Sequence, residues 1–182
     1  KKKYFEYNSS EHKRVLKFDL EKYLINPGET IKTEFDYDKN EINTEMLLEA
    51  WTIDFISKKG FEGEKYNYVT HQVIASPFKP LAYIDKMDIF AYRYLEEYPD
   101  LEKPIEKYMV IELKKGKATR NFPLQLMRYV DWISKEYAAG DYSLIKAVGI
   151  AKGYPKGMQK IIDEQCNRSY LSDLHPNITS QW

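Results

Sequence analysis

The sequence predicts an α/β protein in which a mixed β-sheet is flanked by helices and preceded by a β-rich N-terminal extension. Residues 1–42 alternate aromatic and β-branched residues with polar ones, which is typical of strands. From Asn43 onward, segments of helical and strand period follow one another as helix, antiparallel strands, helix, strand, helix and strand. That order favours a single mixed sheet with helices packed on it.

Composition indicates an ordinary globular protein. The chain has 182 residues, of which 43% are hydrophobic and 31% charged. We expect residues 1–42 to form the extension and residues 43–182 to form the main domain. Lys+Arg and Asp+Glu both number 28, so the net charge does not by itself point to a polyanionic partner. The single cysteine, Cys166, excludes an intramolecular disulfide framework and a cysteine-based zinc cluster.

The chain has no apolar run long enough to span a membrane and no signal-peptide pattern, so we expect a cytoplasmic protein without a membrane partner. Its first residue is Lys1 rather than Met, which leaves open a larger parent chain or an additional domain. The oligomeric state also stays open, a dimer included.

Two or three strands are predicted in the extension, within Tyr4–Tyr7, Val15–Phe18 and Ile31–Phe35, with a turn at Asn26-Pro27-Gly28-Glu29. After it, Asn43 or Thr44 is expected to cap a helix that ends at Gly60.

Antiparallel strands are predicted next, at Tyr66–Ile74, Leu81–Ile84, Met87–Tyr92 and Tyr108–Leu113. The charged segment from Glu96 to Lys107 is expected to connect the last two of these strands.

The chain is expected to leave the sheet at Lys115–Ala118, and Pro123 to open a helix over Leu124–Tyr137. The remaining segments predict a buried strand at Ile145–Ala151, a helix at Lys156–Cys166 and a last edge strand at Arg168–Leu171.

Charged residues interrupt two of these apolar strands. Asp88 precedes Ile89 and Phe90, and Glu112 and Lys114 alternate with Ile111 and Leu113. Because strand side chains alternate between faces, Glu112 and Lys114 should share a face. Buried charges are costly unless they are paired, hydrated or bound to a metal. Two carboxylates on neighbouring strands can hold a hard divalent cation, with the backbone carbonyl of Leu113 as a further ligand.

These residues resemble a known family. An acid in one strand followed by Glu-x-Lys in the next is the signature of the PD-(D/E)XK nuclease superfamily. Residues Ile111–Ala118, followed by Gln125–Tyr129, are similar to the pattern of its RecB-like and archaeal mismatch-endonuclease-like branches. Val148–Ala151 resembles the strand that follows the Gln-x3-Tyr helix in that family. The resemblance covers about residues 43–171 and leaves the extension unexplained.

The resemblance implies a restriction-endonuclease-like fold and a Mg²⁺ or Mn²⁺ site. Asp88 and Glu112 would be metal ligands, and Glu45, in the first core helix, would reach the metal directly or through water. Asp85 is the alternative to Asp88 as the strand acid. Asp88 is favoured, because Ile89 and Phe90 follow it as in the family.

The same resemblance assigns roles around the metal. Lys114 would orient the attacking water, help to deprotonate it, or stabilise charge on the phosphate. Gln125 and Tyr129, four residues apart on one helix face, would brace the site or contact the DNA backbone.

A basic stretch without acidic residues is expected to face phosphates, and its members beyond Lys114 are Lys115, Lys117, Arg120 and Arg128.

Together these features predict a divalent-metal-dependent deoxyribonuclease, endonuclease or exonuclease, acting in restriction, repair or defence with DNA as partner. The alternative is a catalytically inactive nucleic-acid-binding or interaction module on the same fold, and RNA as substrate is a third possibility. His12, His71 and His175 have no partner at a catalytic spacing and are expected to be surface or strand histidines.

Overall fold

The chain divides into two compact units, Lys1–Asn43 and Thr44–Trp182. The computed structural model describes residues 35–36, 41–42, 44–75, 85–95, 103–172 and 175–181. In the first unit, strand β1 (Phe35–Asp36) pairs antiparallel with β2 (Glu41–Ile42). The predicted strands at Tyr4–Tyr7 and Val15–Phe18 lie outside the described residues, as do the predicted turn at residues 26–29 and all of the predicted strand Ile31–Phe35 except Phe35. A β-rich extension over residues 1–42 therefore stays a prediction.

The second unit contains three helices and six strands among its described residues, with one 3-10 turn at Tyr142–Leu144 before β6. The helices are α1 (Glu45–Lys59), α2 (Phe122–Glu136) and α3 (Met158–Gln165). The strands are β3 (Tyr68–Ile74), β4 (Lys86–Tyr94), β5 (Ile105–Lys117), β6 (Ile145–Gly153), β7 (Ser169–Ser172) and β8 (His175–Gln181).

Four strands form the central sheet, in the order β3-β4-β5-β6. The β3–β4 and β4–β5 pairs are antiparallel and the β5–β6 pair is parallel. A parallel pair needs a crossover, and α2 supplies it between β5 and β6. The predicted α/β class with a mixed sheet flanked by helices is therefore confirmed, and the arrangement is consistent with a restriction-endonuclease-like fold.

Helix α1 begins and ends as its sequence predicts. The side chain of Thr44 accepts a hydrogen bond from the amide of Leu47 at 3.1 Å, which resolves the choice between Asn43 and Thr44 as the cap. Gly60 follows the last turn with φ of 76°, a backbone conformation that favours glycine. These two ends place Glu45 in the first turn of α1.

The two faces of the central sheet carry separate apolar clusters. Phe90 packs in a cluster with Val130 and Ile133 of α2, whereas its neighbour Ile89 packs in a cluster with Ile56 of α1. Because adjacent strand residues point to opposite faces, α1 and α2 lie on opposite sides of the sheet. Both helices can therefore present side chains to the same end of β4 and β5.

Strand β5 is longer than predicted. It begins at Ile105, inside the segment expected to be a connection, and its pairing with β6 continues to Lys117 after an irregularity between Lys114 and Lys117. The expectation that the chain leaves the sheet at Lys115–Ala118 is therefore wrong. The charged end of β5 remains part of the sheet because Lys117 pairs with Gly153 of β6. This pairing joins residues that are distant in sequence, so the local pattern does not predict it.

Two further segments differ from expectation. Strand β6 was predicted to be buried, yet most of its residues are only partly buried because β6 lies at one edge of the described sheet. The last predicted strand forms a separate two-stranded sheet with β8. The predicted strand Leu81–Ile84 lies outside the described residues. None of the helices that the structure describes is both long and apolar enough to cross a membrane.

Gly149 of β6 leaves room for an aromatic ring of α2. A Cβ atom built on Gly149 would lie 2.5 Å from Cε1 of Phe122, a clash with a buried ring. We expect Gly149→Ala to lower the unfolding free energy by about 1–3 kcal/mol through overpacking. Thermal melts check this, with Gly153→Ala as control, since its Cβ would meet only Lys117 Cγ at 3.8 Å. Equal melting temperatures for the two variants would contradict the prediction.

Candidate active site

The candidate active site lies where β4 and β5 run side by side. The pairing of Ile89 with Ile111 makes Asp88 and Glu112 cross-strand neighbours. One carboxylate oxygen of Asp88, Oδ2, accepts a hydrogen bond from the amide of Leu113 at 2.7 Å. The structure therefore brings together two acids that are 24 residues apart in the chain.

Glu112 is the most deeply buried acid of the site, with a relative exposure of 1%. Its Oε1 accepts a hydrogen bond from Gln125 Nε2 at 2.6 Å and lies 3.2 Å from Lys114 Nζ. Its Oε2 is buried and has no hydrogen-bond partner among the described residues. A buried carboxylate oxygen without a donor is costly, so Glu112 is not explained by ordinary packing.

Burial and neighbouring carboxylates make both acids harder to ionise. Burial, followed by the neighbouring Asp88 carboxylate, raises the pKa of Glu112 to about 7 against the opposing charge of Lys114. The pKa of Asp88 is also raised, first by burial, with the Leu113 amide opposing and Glu49 and Glu45 adding to the rise. The two carboxyl groups can hydrogen-bond to each other only when one is protonated. This environment favours a bound cation or a shared proton.

Lys114 joins the strand acids to helix α1. Its ammonium donates to Glu45 Oε1 at 2.9 Å and lies 3.2 Å from Glu112 Oε1. Burial alone would lower the pKa of Lys114, but the hydrogen bond to Glu45 and the charge of Glu112 outweigh it, and the pKa is raised. Lys114 is therefore a cation in this arrangement, as predicted on the same face as Glu112.

Glu45 reaches the site through Lys114. Its side chain is 49% exposed and receives the hydrogen bond from Lys114. Its predicted role as a metal ligand, direct or through water, stays a prediction.

Helix α2 closes the site on the other side of Glu112. Gln125 Nε2 donates to Glu112 Oε1 at 2.6 Å and contacts the hydroxyl of Tyr129 at 3.0 Å. Tyr129 is buried, and burial is the main cause that raises its pKa to about 12, so its hydroxyl keeps its proton. The helix starts at Phe122 with Pro123 in its first turn, close to the predicted start. Gln125 and Tyr129 thus share a face, as their spacing predicts.

Asp85 and Asp88 occupy different positions. Asp85 lies 3.6 Å from Arg128 of α2 in an ion pair, whereas Asp88 adjoins Glu112 and the Leu113 amide. The geometry thus favours Asp88 as the acid that shares a site with Glu112. It also gives Arg128, predicted to face phosphates, a carboxylate partner within the protein.

The other basic residues of the predicted patch are exposed. Lys115 and Lys117 lie near the end of β5, and Arg120 lies in the turn before α2. They follow Lys114 along the chain and precede Gln125, so they lie between two residues of the site in sequence. Their contact with nucleic acid stays a prediction.

Three residues near the site were not predicted from the sequence. Glu49 lies one helical turn after Glu45, and its carboxylate is 2.8 Å from His71 Nδ1 and 3.3 Å from Gln72 Nε2. Gln72 has a φ of 52°, which non-glycine residues rarely adopt. It lies opposite Asp88, because the residues on either side of it in β3 pair with the residues on either side of Asp88 in β4. The sequence signal that could have placed Glu49 near the site is its spacing of four residues from Glu45, which puts both acids on one face of α1.

A divalent cation fits the residues present. The buried, unpartnered Oε2 of Glu112 and the adjoining Asp88 are oxygen ligands of the kind that Mg²⁺ prefers. Over the described part of the chain, no group of three or more His, Cys, Asp or Glu side chains is arranged to hold a metal ion. Two carboxylates and a backbone carbonyl are nevertheless sufficient for Mg²⁺, which keeps several waters.

A distant likeness to a solved structure is found. A scan against protein-family models finds no match, and a search of curated proteins finds none either. Among solved structures, a repair endonuclease from Pyrococcus abyssi is similar over 64% of this chain and 42% of that chain, with 19% identity and a TM-score of 0.42. The chain thus spans less than half of that endonuclease.

Proposed function

We propose that this chain is a Mg²⁺- or Mn²⁺-dependent deoxyribonuclease that hydrolyses DNA phosphodiester bonds. The observation that carries the proposal is the buried carboxylate of Glu112. It lies beside a second acid whose pKa is raised, Asp88. One oxygen of the Glu112 carboxylate, Oε1, contacts Lys114 and Gln125. Perturbed acids clustered with a cation in this way are typical of functional sites rather than of surface ion pairs.

Asp88, Glu112 and the backbone carbonyl of Leu113 would hold the metal ion. When bound, the metal supplies a polarised phosphoryl oxygen and a lowered pKa of bound water. The protein orients its acids to receive the ion, since the Leu113 amide holds Asp88 Oδ2 and Gln125 holds Glu112 Oε1. Glu112 Oε2 is left available to a ligand.

Lys114 supplies the positive charge that the reaction needs. Its ammonium, held 2.9 Å from Glu45 and 3.2 Å from Glu112, can donate a hydrogen bond to the attacking water or to a phosphate oxygen that gains charge. Because its pKa is raised, it acts in this arrangement as a donor and a cation. Of the three roles expected for Lys114, orientation of the water and charge stabilisation are therefore favoured over deprotonation of the water.

Gln125 and Tyr129 position Glu112. The Gln125 amide bridges the carboxylate and the tyrosine hydroxyl, and the ring of Tyr129 is buried in the core cluster of α2. The exposed Lys115, Lys117 and Arg120 would contact backbone phosphates, so DNA affinity should fall as salt concentration rises.

The proposal is tested by incubating wild-type protein with supercoiled plasmid and with single-stranded DNA in Mg²⁺ or Mn²⁺. We expect cleavage that EDTA abolishes and that Glu112→Gln lowers by more than the roughly 10- to 100-fold typical of losing an outer-shell partner, because a metal ligand itself is lost. Glu106→Gln is the matched control, since Glu106 lies on the same strand and pairs with Arg93 instead.

Two outcomes would overturn the proposal. One is cleavage that persists unchanged in Glu112→Ala and Lys114→Ala. The other is DNA binding by the wild type without Mn²⁺ uptake in calorimetry and without cleavage, which is the behaviour of an inactive binding module. A parallel assay with RNA of the same sequence separates the two substrate classes.

A further inference from the structure

A histidine and a carboxylate form a pair beside the candidate active site. The Nδ1 atom of His71, on β3, lies 2.8 Å from Oε1 of Glu49, on α1. The Glu49 side chain is only 12% exposed, whereas the His71 side chain is 61% exposed. Because a carboxylate accepts hydrogen bonds, Nδ1 carries a proton in this contact. Among the described residues His71 has no other hydrogen-bond partner, so its Nε2 atom can meet a molecule from solvent.

Two observations place this pair near Asp88. In the sheet, His71 pairs with Ile89, the residue that directly follows Asp88 in β4. After burial, which is the main cause, the Glu49 carboxylate is among the charges that raise the pKa of Asp88. The pair therefore belongs to the surroundings of the acid that would hold the metal, although neither of its residues is one of the proposed ligands.

The backbone next to His71 is strained. Gln72 has a φ of 52°, and its side-chain amide donates to Oε2 of Glu49 at 3.3 Å. One carboxylate thus holds two consecutive residues of β3. Backbone strain of this kind persists only where the surroundings determine it, and it clusters at functional sites. The orientation of the His71 ring is therefore fixed by Glu49 rather than left to an exposed edge strand.

Helix α1 holds one side chain on each side of β4. Glu45 accepts a hydrogen bond from Lys114 of β5, and Glu49, one turn later, accepts one from His71 of β3. The strand order β3-β4-β5 puts these two partners on opposite sides of β4, which carries Asp88. Two strand spacings amount to about 10 Å. A phosphate bound beside Asp88 would therefore have Lys114 on one side and His71 on the other.

Hydrolysis of a phosphodiester needs a different group on each side of phosphorus. The attacking and leaving oxygens lie roughly in line, on opposite sides of the phosphorus atom. Lys114 lies on the side assigned to the attacking water. The leaving oxygen departs with the electron pair of its bond to phosphorus, so it needs a proton. His71 lies on that side, and an imidazolium held by a carboxylate is a suitable proton donor.

We propose that His71 donates a proton from Nε2 to the bridging oxygen that leaves phosphorus, and that Glu49 positions its ring. The proposal rests on the proposed function and deepens it. The water oxygen forms a new bond to phosphorus, the bond from phosphorus to the leaving oxygen breaks, and that oxygen takes the proton from Nε2. The water gives its own proton to solvent, and the ring recovers one from solvent.

The test uses a substrate in which sulfur replaces the leaving oxygen. Mass spectrometry of the products first shows which bridging oxygen leaves, and a duplex oligonucleotide with sulfur at that position is then cleaved in Mn²⁺. A thiolate is a far weaker base than an alkoxide and leaves without a proton. A general acid contributes about 100- to 10,000-fold, so we expect His71→Asn to slow single-turnover cleavage of the ordinary duplex by at least about 100-fold and of the sulfur duplex by less than about fivefold.

Three variants serve as comparisons. Glu49→Gln should show the same selective recovery with sulfur, because the ring loses the carboxylate that positions it. Lys114→Met should slow both substrates by a similar factor, because it acts on the attacking side. Glu164→Gln breaks an exposed ion pair with Lys160 on α3 and should change neither rate. An His71→Asn variant that slows both substrates equally, or slows neither, overturns the inference.

A binding measurement on the wild type does not depend on how a variant folds. Nitrogen-15 NMR follows the imidazole of His71 while a short duplex is added with Ca²⁺ in place of Mg²⁺. We expect the Nε2 signal to shift and the Nδ1 signal to move little, since Glu49 holds Nδ1. A His71 ring whose signals stay unchanged while the amide signal of Leu113 shifts overturns the inference.

The results separate this inference from the proposed function. Wild-type cleavage that Glu112→Gln abolishes upholds the proposed function whatever is found for His71. Cleavage of that kind with no selective recovery in His71→Asn overturns the inference alone. A wild type that cleaves neither the ordinary nor the sulfur duplex overturns both.

Discussion

Replacing Lys114 with methionine is expected to lower the rate of DNA cleavage by about 100- to 1,000-fold, the usual effect of removing one donor that acts on developing charge. Methionine keeps the unbranched apolar stem but loses the ammonium that contacts Glu45 and Glu112. Single-turnover cleavage of a labelled duplex in saturating Mn²⁺ measures the effect. Unchanged cleavage would contradict the role given to Lys114.

The same variant separates the lysine from the metal ligands. Because Lys114 is a cation, its removal takes away repulsion toward a divalent ion, and we expect Mn²⁺ affinity in calorimetry to stay the same or increase. Lys58→Met is the control, since Lys58 forms an exposed ion pair with Asp54 within α1. Loss of Mn²⁺ binding together with cleavage in Lys114→Met would mean that the lysine supports the structure of the site rather than the reaction.

Replacing Glu112 with glutamine is expected to stabilise the metal-free protein at neutral and alkaline pH. The folded-state pKa of Glu112 is about 7, above its ordinary value of 4.5. Between these two pH values the folded state binds more protons than the unfolded state, so wild-type stability falls as pH rises through this window. Glutamine does not titrate, and it can donate to Asp88 where the wild type has a second carboxylate.

Thermal melts in EDTA at pH 5 and pH 8 measure this effect. We expect Glu112→Gln to exceed the wild type in unfolding free energy by on the order of 1–3 kcal/mol at pH 8. Near pH 5, where the wild-type carboxyl is mostly protonated, the difference should be small. Glu106→Gln, which removes an ion pair with Arg93, should show no such gain. Equal stability of wild type and Glu112→Gln at pH 8 would contradict the burial argument.

Mn²⁺ should make the wild type more stable than Glu112→Gln, which reverses their order of stability in EDTA. An ion that binds only the folded state stabilises it to an extent that grows with the ratio of ion concentration to dissociation constant. The wild type should therefore gain melting temperature with Mn²⁺ at pH 8, whereas Glu112→Gln, without one of the two carboxylates, should gain little. Glu112 thus lowers the stability of the metal-free protein but is needed for the proposed metal binding, a trade-off that is common at binding sites.

Features set by local interactions were predictable from the sequence. Thr44 and Gly60 delimit α1, and Pro123 opens α2, because capping and backbone restrictions act within a few residues. The two-residue spacing of Glu112 and Lys114 places both on one strand face for the same reason. The mixed α/β class follows from the order of these segments.

Features set by contacts distant in sequence were not predictable in this way. The length of β5 depends on its pairing with β6, and the choice between Asp85 and Asp88 depends on Arg128 of α2 and on the register of β4 with β5. Nothing in the local pattern around Glu49 or Gln72 shows that β3 and α1 meet beside Asp88.

The sequence by itself determined which residue types could form a metal-dependent site and on which elements they lie. Only the tertiary structure decided that Glu112 is buried with one unpartnered oxygen and that Gln125 and Lys114 share its other oxygen. The physical reason is that burial and hydrogen-bond distances arise from packing between separate elements. Spacing along one element sets the direction of a side chain, but it does not set what that side chain meets.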